Sequence, residues 1–249
     1  MVTRLLDSDF TIISMLLTPE WFERITSLNH QLVDSSIRED GSSPSAETTD
    51  RQTPAIYIAD HSLVETIVGT NLHQGIMAVA LVPRERSLQE IIESIPQPHL
   101  LVALDGLVSA ENVGVVVRNC AAFGVNAIIA GETSSSPYLR RAVRNSMGAI
   151  FHLPVFHSTD LAGSLRMIRD RYSTKIVATD PHDRSDIRHV DLSGNICIVL
   201  GNEGEGISEN VLNACNQRIA IPMMSDVDSL NVASASAVFL YEAGRQRKT

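Results

Sequence analysis

The sequence predicts an α/β protein built on a parallel sheet, and three observations carry that expectation. Leu100–Leu104, Val125–Ala130 and Ile196–Leu200 are apolar nearly throughout, as strands buried on both faces of a parallel sheet must be. Between such runs lie amphipathic stretches like Leu161–Tyr172. Their alternation, βαβα along most of the chain, is the pattern of parallel strands joined by crossover helices.

Taken in order, Thr11–Leu17 is a β-rich run, and Pro19, Glu20 and Trp21 open a helix reaching about Leu32, with proline at its favoured first-turn position. Residues 34–54 are Ser, Thr, Asp, Glu and Gly with almost nothing apolar, a composition that carries no packing signal. Ala55–Ile58 reads as a strand, His61–Val68 as a helix, Gly75–Val82 as a strand and Ser87–Ile95 as a helix-like segment before Pro96 and Pro98. The prolines place a domain boundary there, giving a small α/β domain over 1–96 and a larger one over 97–249.

In the second domain, strand Leu100–Leu104 precedes a helix over Glu111–Phe123, a strand over Val125–Ala130, a turn over Gly131–Pro137, a basic helix over Tyr138–Ser146 and a strand over Ile150–Val155. Helix Leu161–Tyr172 and strand Lys175–Thr179 follow, the strand ending at Asp180-Pro181. Ile196–Leu200 then feeds the Gly-rich turn Gly201–Gly206, with Ser208 as an expected N-cap. Arg218–Ile221 stops at Pro222, passes the polar Ser225–Ser229, and enters a helix of small residues from Val232 to Ala243, suited to close approach to another backbone.

Composition narrows the function classes. With 249 residues and 44% hydrophobic content the chain reads as a soluble globule. No apolar run reaches membrane-spanning length, and Met1–Phe10 carries Arg4, Asp7 and Asp9 where a signal peptide needs an apolar core, so a cytoplasmic protein is expected. The three cysteines, Cys120, Cys197 and Cys215, lack CxxC spacing, and the eight histidines form no ligand cluster, so no metal is expected. A net charge of −9 argues against unselective coating of nucleic acid. Arginines nevertheless cluster at Arg140, Arg141, Arg144 and at Arg166, Arg169, Arg171. Arginine suits bidentate phosphate contacts; a solvated helix face accounts for either cluster and is favoured for the second.

Ligands in open α/β sheets bind beyond the carboxyl ends of strands, which makes the loops after Leu200 and Ile221, treated as neighbours, the candidate site. Asn112 is expected to cap its helix. Arg118 stands among apolar neighbours from Val115 to Phe123; a half-buried arginine needs an anion or carbonyls, and a salt bridge to the sheet serves equally well. Glu203 lies inside the Gly-rich turn, and Ser229 and Asn231 flank Leu230 at a helix start, where capping explains them at least as well as catalysis. The run Gly201–Gly206 is not GxGxxG, and Walker, kinase and GxSxG patterns are missing, which disfavours nicotinamide and nucleoside triphosphate sites.

Three ordered blocks together add more. Asn112-Val113-Gly114 with Arg118 and Ala121–Gly124, then Ile198–Ser208, then Ile221-Pro222-Met223 with Ser229–Val232, resemble the SpoU (TrmH) family of RNA 2′-O-ribose methyltransferases within the SPOUT superfamily. The resemblance runs from about Leu100 to the C-terminus, and Asn71–Ile76 is similar to the segment closing that family's N-terminal substrate-binding domain. It implies a parallel-sheet catalytic domain with a C-terminal trefoil knot, S-adenosylmethionine held in the knot, a homodimer, and structured ribosomal or transfer RNA as substrate.

The resemblance also assigns roles. The loops after Thr179, Leu200 and Ile221 would hold the donor, Gly201, Ile221 and Leu230 would meet adenosine chiefly through backbone, and Pro222 and Met223 would complete the wall. Arg118 looks like the family's catalytic arginine, acting with the target phosphate to deprotonate the ribose hydroxyl. Asn112, Glu203, Ser229 and Asn231 would orient Arg118, ribose and donor, and Arg140, Arg141 and Arg144 would grip flanking phosphates. The chain departs from the pattern in starting near the N-terminal domain's second strand and in carrying the polar 34–54 insertion. A non-catalytic RNA-binding relative and a nucleotide-binding α/β enzyme of another class are the competing readings.

Overall fold

The computed structural model describes residues 1–28, 54–68, 75–183, 185–224 and 229–247, in two compact units, Met1–Arg84 and Glu85–Thr249. The polar insertion over 34–53 and most of Asn71–Ile76 lie outside the described residues, as does 225–228 in the last loop.

The first unit opens with helix α1 (Val2–Leu6), which the sequence reading did not anticipate, followed by β1 (Ile12–Leu17), α2 (Pro19–Leu28), β2 (Ala55–Ile58), α3 (His61–Val68) and β3 (Ile76–Ala80). Its sheet has the order β2-β1-β3, with β1 parallel to β2 and antiparallel to β3. Period-two alternation buries Met15, Leu17 and Ile76 on one face with Ile25 and Val64 from the helices, while Tyr57 on the other face is exposed.

The second unit begins with α4 (Leu88–Ser94), closed at its start by a capping box between Ser87 and Glu90. Its buried Leu88, Ile91 and Ile92 belong to the core cluster of the large sheet. The unit boundary therefore falls at Arg84/Glu85 rather than at 96/97, because the apolar stripe of α4 is buried in the second unit. Beyond α4 come β4 (Leu100–Asp105), α5 (Ala110–Ala122), β5 (Ala127–Ala130), α6 (Arg140–Asn145), β6 (Val155–His157), α7 (Leu161–Tyr172), β7 (Lys175–Thr179), β8 (Ile196–Gly201), α8 (Glu209–Leu212), β9 (Gln217–Ile219) and α9 (Val232–Arg247).

All strand pairs here are parallel, in the order β6-β5-β4-β8-β7-β9. One core cluster joins this sheet to α5 and α9, and the other joins it to α4, α7 and α8. Two expectations are corrected. The strand placed at Ile150–Val155 is a 3₁₀ turn, Ala149–His152, and pairing starts only at Val155. Gly148 in the left-handed region (φ 79°) lets the chain wind there, and Pro154, which has no N–H to give, contributes its carbonyl to Ile128 N. Strands β8 and β9 are also not neighbours, because β7 lies between them.

The small residues of α9 do bring it close to α5. Asn119 Nδ2 donates to Ala233 O at 2.8 Å and to Ser236 Oγ at 2.9 Å. On the same helix Gly114 faces α6, and a Cβ there would lie 2.4 Å from Ala142 O, so only glycine permits this approach.

Candidate active site

The carboxyl ends of β7, β8 and β9 each pass into a loop, and the three loops enclose a cavity of about 400 Å³, within the usual range for small-molecule sites. Thr179–His182 come from the first, Leu200–Ile207 from the second, and Ile221, Met223, Ser229 and Leu230 from the third. Val232, Ala235 and Phe239 of α9, with Leu212, complete the lining. Apolar walls therefore meet a rim bearing Asp180, Glu203 and Glu205.

The Gly-rich turn is built by its own residues. Asn202 N donates to Gly206 O at 2.8 Å and Gly206 N returns a bond to Asn202 O at 3.0 Å. Asn202 Oδ1 accepts from Gly204 N at 2.8 Å and Glu205 N at 3.0 Å, which is an Asx-type turn. Gly201 is obligatory, since a Cβ on it would sit 2.5 Å from Gly206 C and 2.6 Å from Ile207 N.

At the mouth, three of the residues singled out in the sequence converge. Asn112 Nδ2 donates to Glu203 Oε1, Asn231 Nδ2 donates to Asn112 Oδ1 at 3.3 Å, and Asn231 Oδ1 accepts from Ala233 N at 2.9 Å. Asn231 thus opens α9 with its carbonyl oxygen and holds Asn112 with its nitrogen. Asn112 is not the cap of α5: Ser109 is, its Oγ accepting from Asn112 N at 3.2 Å. One turn inside the helix, the Asn112 side chain is free to reach across to the Gly-rich turn. Ser208 does occupy the N-cap position of α8, but its side chain makes no capping bond.

Of the donor-site candidates, Thr179, Leu200, Gly201, Ile221, Met223 and Leu230 line the cavity, whereas Pro222 does not. Thr179 is fixed by its hydroxyl, which donates to Val199 O at 2.9 Å. Ser229 and Glu203 also line the cavity, and Arg118 is absent from its walls.

Arg118 corrects the sequence reading further. It is exposed, and among the described residues nothing bonds its guanidinium. The buried stripe of α5 is Val113, Gly114, Val116, Val117 and Cys120, and position 118 falls off it; apolar neighbours in sequence are not neighbours on a helix face. Arg140, Arg141 and Arg144 are likewise exposed, but among the described residues only Arg141 is paired, to Glu111 at 3.0 Å. Sequence reasoning missed Asn202, Asp180 and Leu212; an Asn followed by Glu-Gly carries the turn signal that identifies Asn202. Among the described residues no group of three His, Cys, Asp or Glu side chains is disposed to hold a metal ion, and no helix is long and apolar enough to cross a membrane.

A cavity at the carboxyl ends of parallel strands, closed by a glycine turn and a small-residue helix, defines a small-ligand-binding α/β domain. The chain belongs to the SpoU rRNA Methylase family, whose model matches residues 99–241. It is 35% identical over 190 residues, 76% of each chain, to the 23S rRNA (guanosine-2′-O-)-methyltransferase RlmB of Ralstonia nicotianae. The same-named protein of Bordetella pertussis is 32% identical over 226 residues, covering 89% of this chain and 91% of its own. Among solved structures, the SpoU methyltransferase AviRb from Streptomyces viridochromogenes, in complex with AdoMet, aligns with a TM-score of 0.78 at 22% identity, over 99% of this chain and 87% of that one.

Proposed function

We propose that this protein transfers the methyl group of S-adenosylmethionine to a ribose 2′-hydroxyl of ribosomal RNA. The observation that carries the reading is the convergence of Asn112 and Asn231 on Glu203, which lines the cavity made by the loops after β7, β8 and β9. Relatives 35% and 32% identical to this chain are named as rRNA guanosine-2′-O-methyltransferases, and AviRb of the same fold holds AdoMet.

The residues present fit that donor. Leu200, Ile221 and Leu230 offer apolar surface for an adenine, and Asp180, Glu203 and Glu205 give the rim a negative charge suited to a cationic sulfonium and ammonium. When bound, the donor supplies an electrophilic methyl. The protein's own task is alignment and proton removal at the ribose oxygen. Asn112 occupies one oxygen of Glu203, which leaves the other to accept from a hydroxyl or an ammonium. Arg118, exposed in the single chain, presents a planar guanidinium suited to bidentate positioning of the target phosphate.

A homodimer accounts for Arg118. Lying outside its own cavity walls, it reaches a donor most simply when a second copy presents its α5. The strand order β4-β8-β7-β9, with α9 returning onto α5, is what supports a C-terminal trefoil knot. The first unit serves as the RNA-binding module, as the family resemblance implies, and the work is done in the cytoplasm. Incubating the purified protein with methyl-labelled S-adenosylmethionine and unmodified ribosomal RNA tests the reading, with label expected on a ribose 2′-oxygen. A protein that binds RNA but neither takes up the donor calorimetrically nor transfers label is the non-catalytic relative, and the proposal then falls.

A further inference from the structure

We infer that Asp105, which lies outside the three sequence blocks quoted above, is a positioning residue for the methyl-donor loop. The inference rests on the reading of Leu200–Ile207 as part of the donor site. Asp105 ends β4 and stands in register with Gly201, where the loop leaves the sheet. The residue is only 9% exposed, and its Oδ2 accepts from Ser208 N at 2.7 Å, where the loop returns. The loop from Gly201 to Ser208 thus meets one residue at both ends, as its register neighbour in the sheet on departure and through its side chain on return. The next residue adds a third tie, since Gly106 O accepts from Asn202 Nδ2 at 2.7 Å, with Gly106 itself at φ +71°.

Such ties matter because the loop contains Gly201, Gly204 and Gly206, and glycines leave a free chain the most conformational freedom to lose. The Ser208 hydroxyl makes no capping bond of its own, so the Asp105 carboxylate is what meets this helix start. It does so as a charged acceptor, the stronger kind of hydrogen bond. Asp105 also borders a second polar cavity, lined by Glu132, Asp160 and Arg166. Untethered, the loop must be ordered by the donor itself. The loss then appears in donor affinity, while turnover at saturating donor and RNA affinity are spared.

Three variants of the full chain test this: Asp105→Ala, Asp105→Asn and Ser208→Pro. The asparagine keeps an acceptor for Ser208 N. Proline at 208 removes the donor at a φ of −62° that proline adopts, and it sets a Cδ where the hydrogen faced the Asp105 carboxylate, a crowding that Asp105→Ala relieves in the double variant. Losing a hydrogen bond to a charged group predicts donor affinity, by calorimetry, weaker by ~10- to 100-fold in Asp105→Ala and Ser208→Pro, with kcat at saturating donor within about threefold. Asp105→Asn should stay within about threefold of the parent, and the double variant Asp105→Ala/Ser208→Pro should be no worse than either single one. Parental donor affinity in Asp105→Ala, or a loss in Asp105→Asn as large as in Asp105→Ala, overturns the inference. Should Asp105→Ala fail to fold, Ser208→Pro decides by the same criterion. A parent protein that binds no donor would instead sink the donor-site reading, a different result.

Discussion

The Asn231 side-chain nitrogen donates to Asn112 Oδ1 at 3.3 Å, across 119 positions of sequence. Since Asn112 also donates to Glu203, the starts of α5 and α9 and the Gly-rich turn are joined by one chain of side-chain amides and a carboxylate. Asn112 keeps both of its side-chain partners only while Glu203 and Asn231 hold their places.

Asn112 is the middle of that chain, so its replacement separates orientation from binding. Asn112→Ala should lower methyl transfer roughly 100-fold, the scale of a misplaced reacting group, with donor affinity changed little. Asn112→Asp is the sharper test. Two carboxylates within bonding distance do not both ionise easily, so a shared proton is favoured as pH falls. Initial rates of this variant relative to the parent should therefore rise from pH 8.5 toward pH 6. A ratio independent of pH would contradict the contact.

Arg118 and Gly201 allow the dimer to be read by complementation. Arg118→Ala keeps the cavity but loses the guanidinium; being exposed, it should shift unfolding stability by less than ~0.5 kcal/mol. Gly201→Ala closes the turn onto Gly206 and should abolish donor binding. In an equimolar, exchanged mixture, a site shared between copies regenerates one good site in each heterodimer, restoring roughly a quarter of parental activity. If Arg118 acts within its own chain, the mixture stays as inactive as its components.

Local pattern made β4, β8 and α7 legible, because an unbroken apolar run or a 3.6-residue stripe needs no knowledge of the rest of the chain. Pairing did not show in the same way. That β8 inserts between β4 and β7 is decided by contacts far apart in sequence, so treating the loops after β8 and β9 as neighbours left out the strand between them. The stripe of Leu88, Ile91 and Ile92 announced a packed helix but not which sheet it packs on, and the nearby prolines drew the boundary to the wrong side. For Arg118 the error was one of period: Val116 and Val117 point inward, and the next residue turns out to solvent. The convergence of Asn112, Glu203 and Asn231 was legible only through the family blocks, since spacing alone favoured capping.

The arginines of α6 should contribute unequally to RNA binding. Arg140 and Arg144 are exposed without ion-pair partners among the described residues, whereas Arg141 is engaged by Glu111 at 3.0 Å. Arg140→Ala and Arg144→Ala should each weaken RNA binding and reduce the slope of log K against log salt by ~0.7 to 0.9, the signature of one phosphate contact. Arg141→Ala should change the slope less, because its guanidinium already faces a carboxylate. Equal slopes for all three variants would argue that the cluster is only a solvated face.

The opposite end of the sheet carries a pH dependence of stability. His99, fully buried where β4 begins, has Nε2 2.8 Å from Thr174 Oγ1, while Nδ1 has no partner among the described residues. Burial, and then the nearby Arg247 guanidinium, hold its pKa below the ordinary value. Arg247 is itself pinned there, donating to Pro98 O and His99 O at 3.0 Å each. The folded protein therefore keeps His99 neutral, while the unfolded chain takes up a proton as pH falls through ~6.5. The unfolded state then binds more protons, so this contribution to stability is complete above that pH and declines below it, by at most ~1.4 kcal/mol per pH unit. His99→Gln offers a non-titrating partner to Thr174. It should be less stable than the parent at pH 8, through lost packing, yet the gap between the two denaturation midpoints should narrow by pH 5.5. A gap constant from pH 8 to pH 5.5 would show that His99 is not what acid attacks.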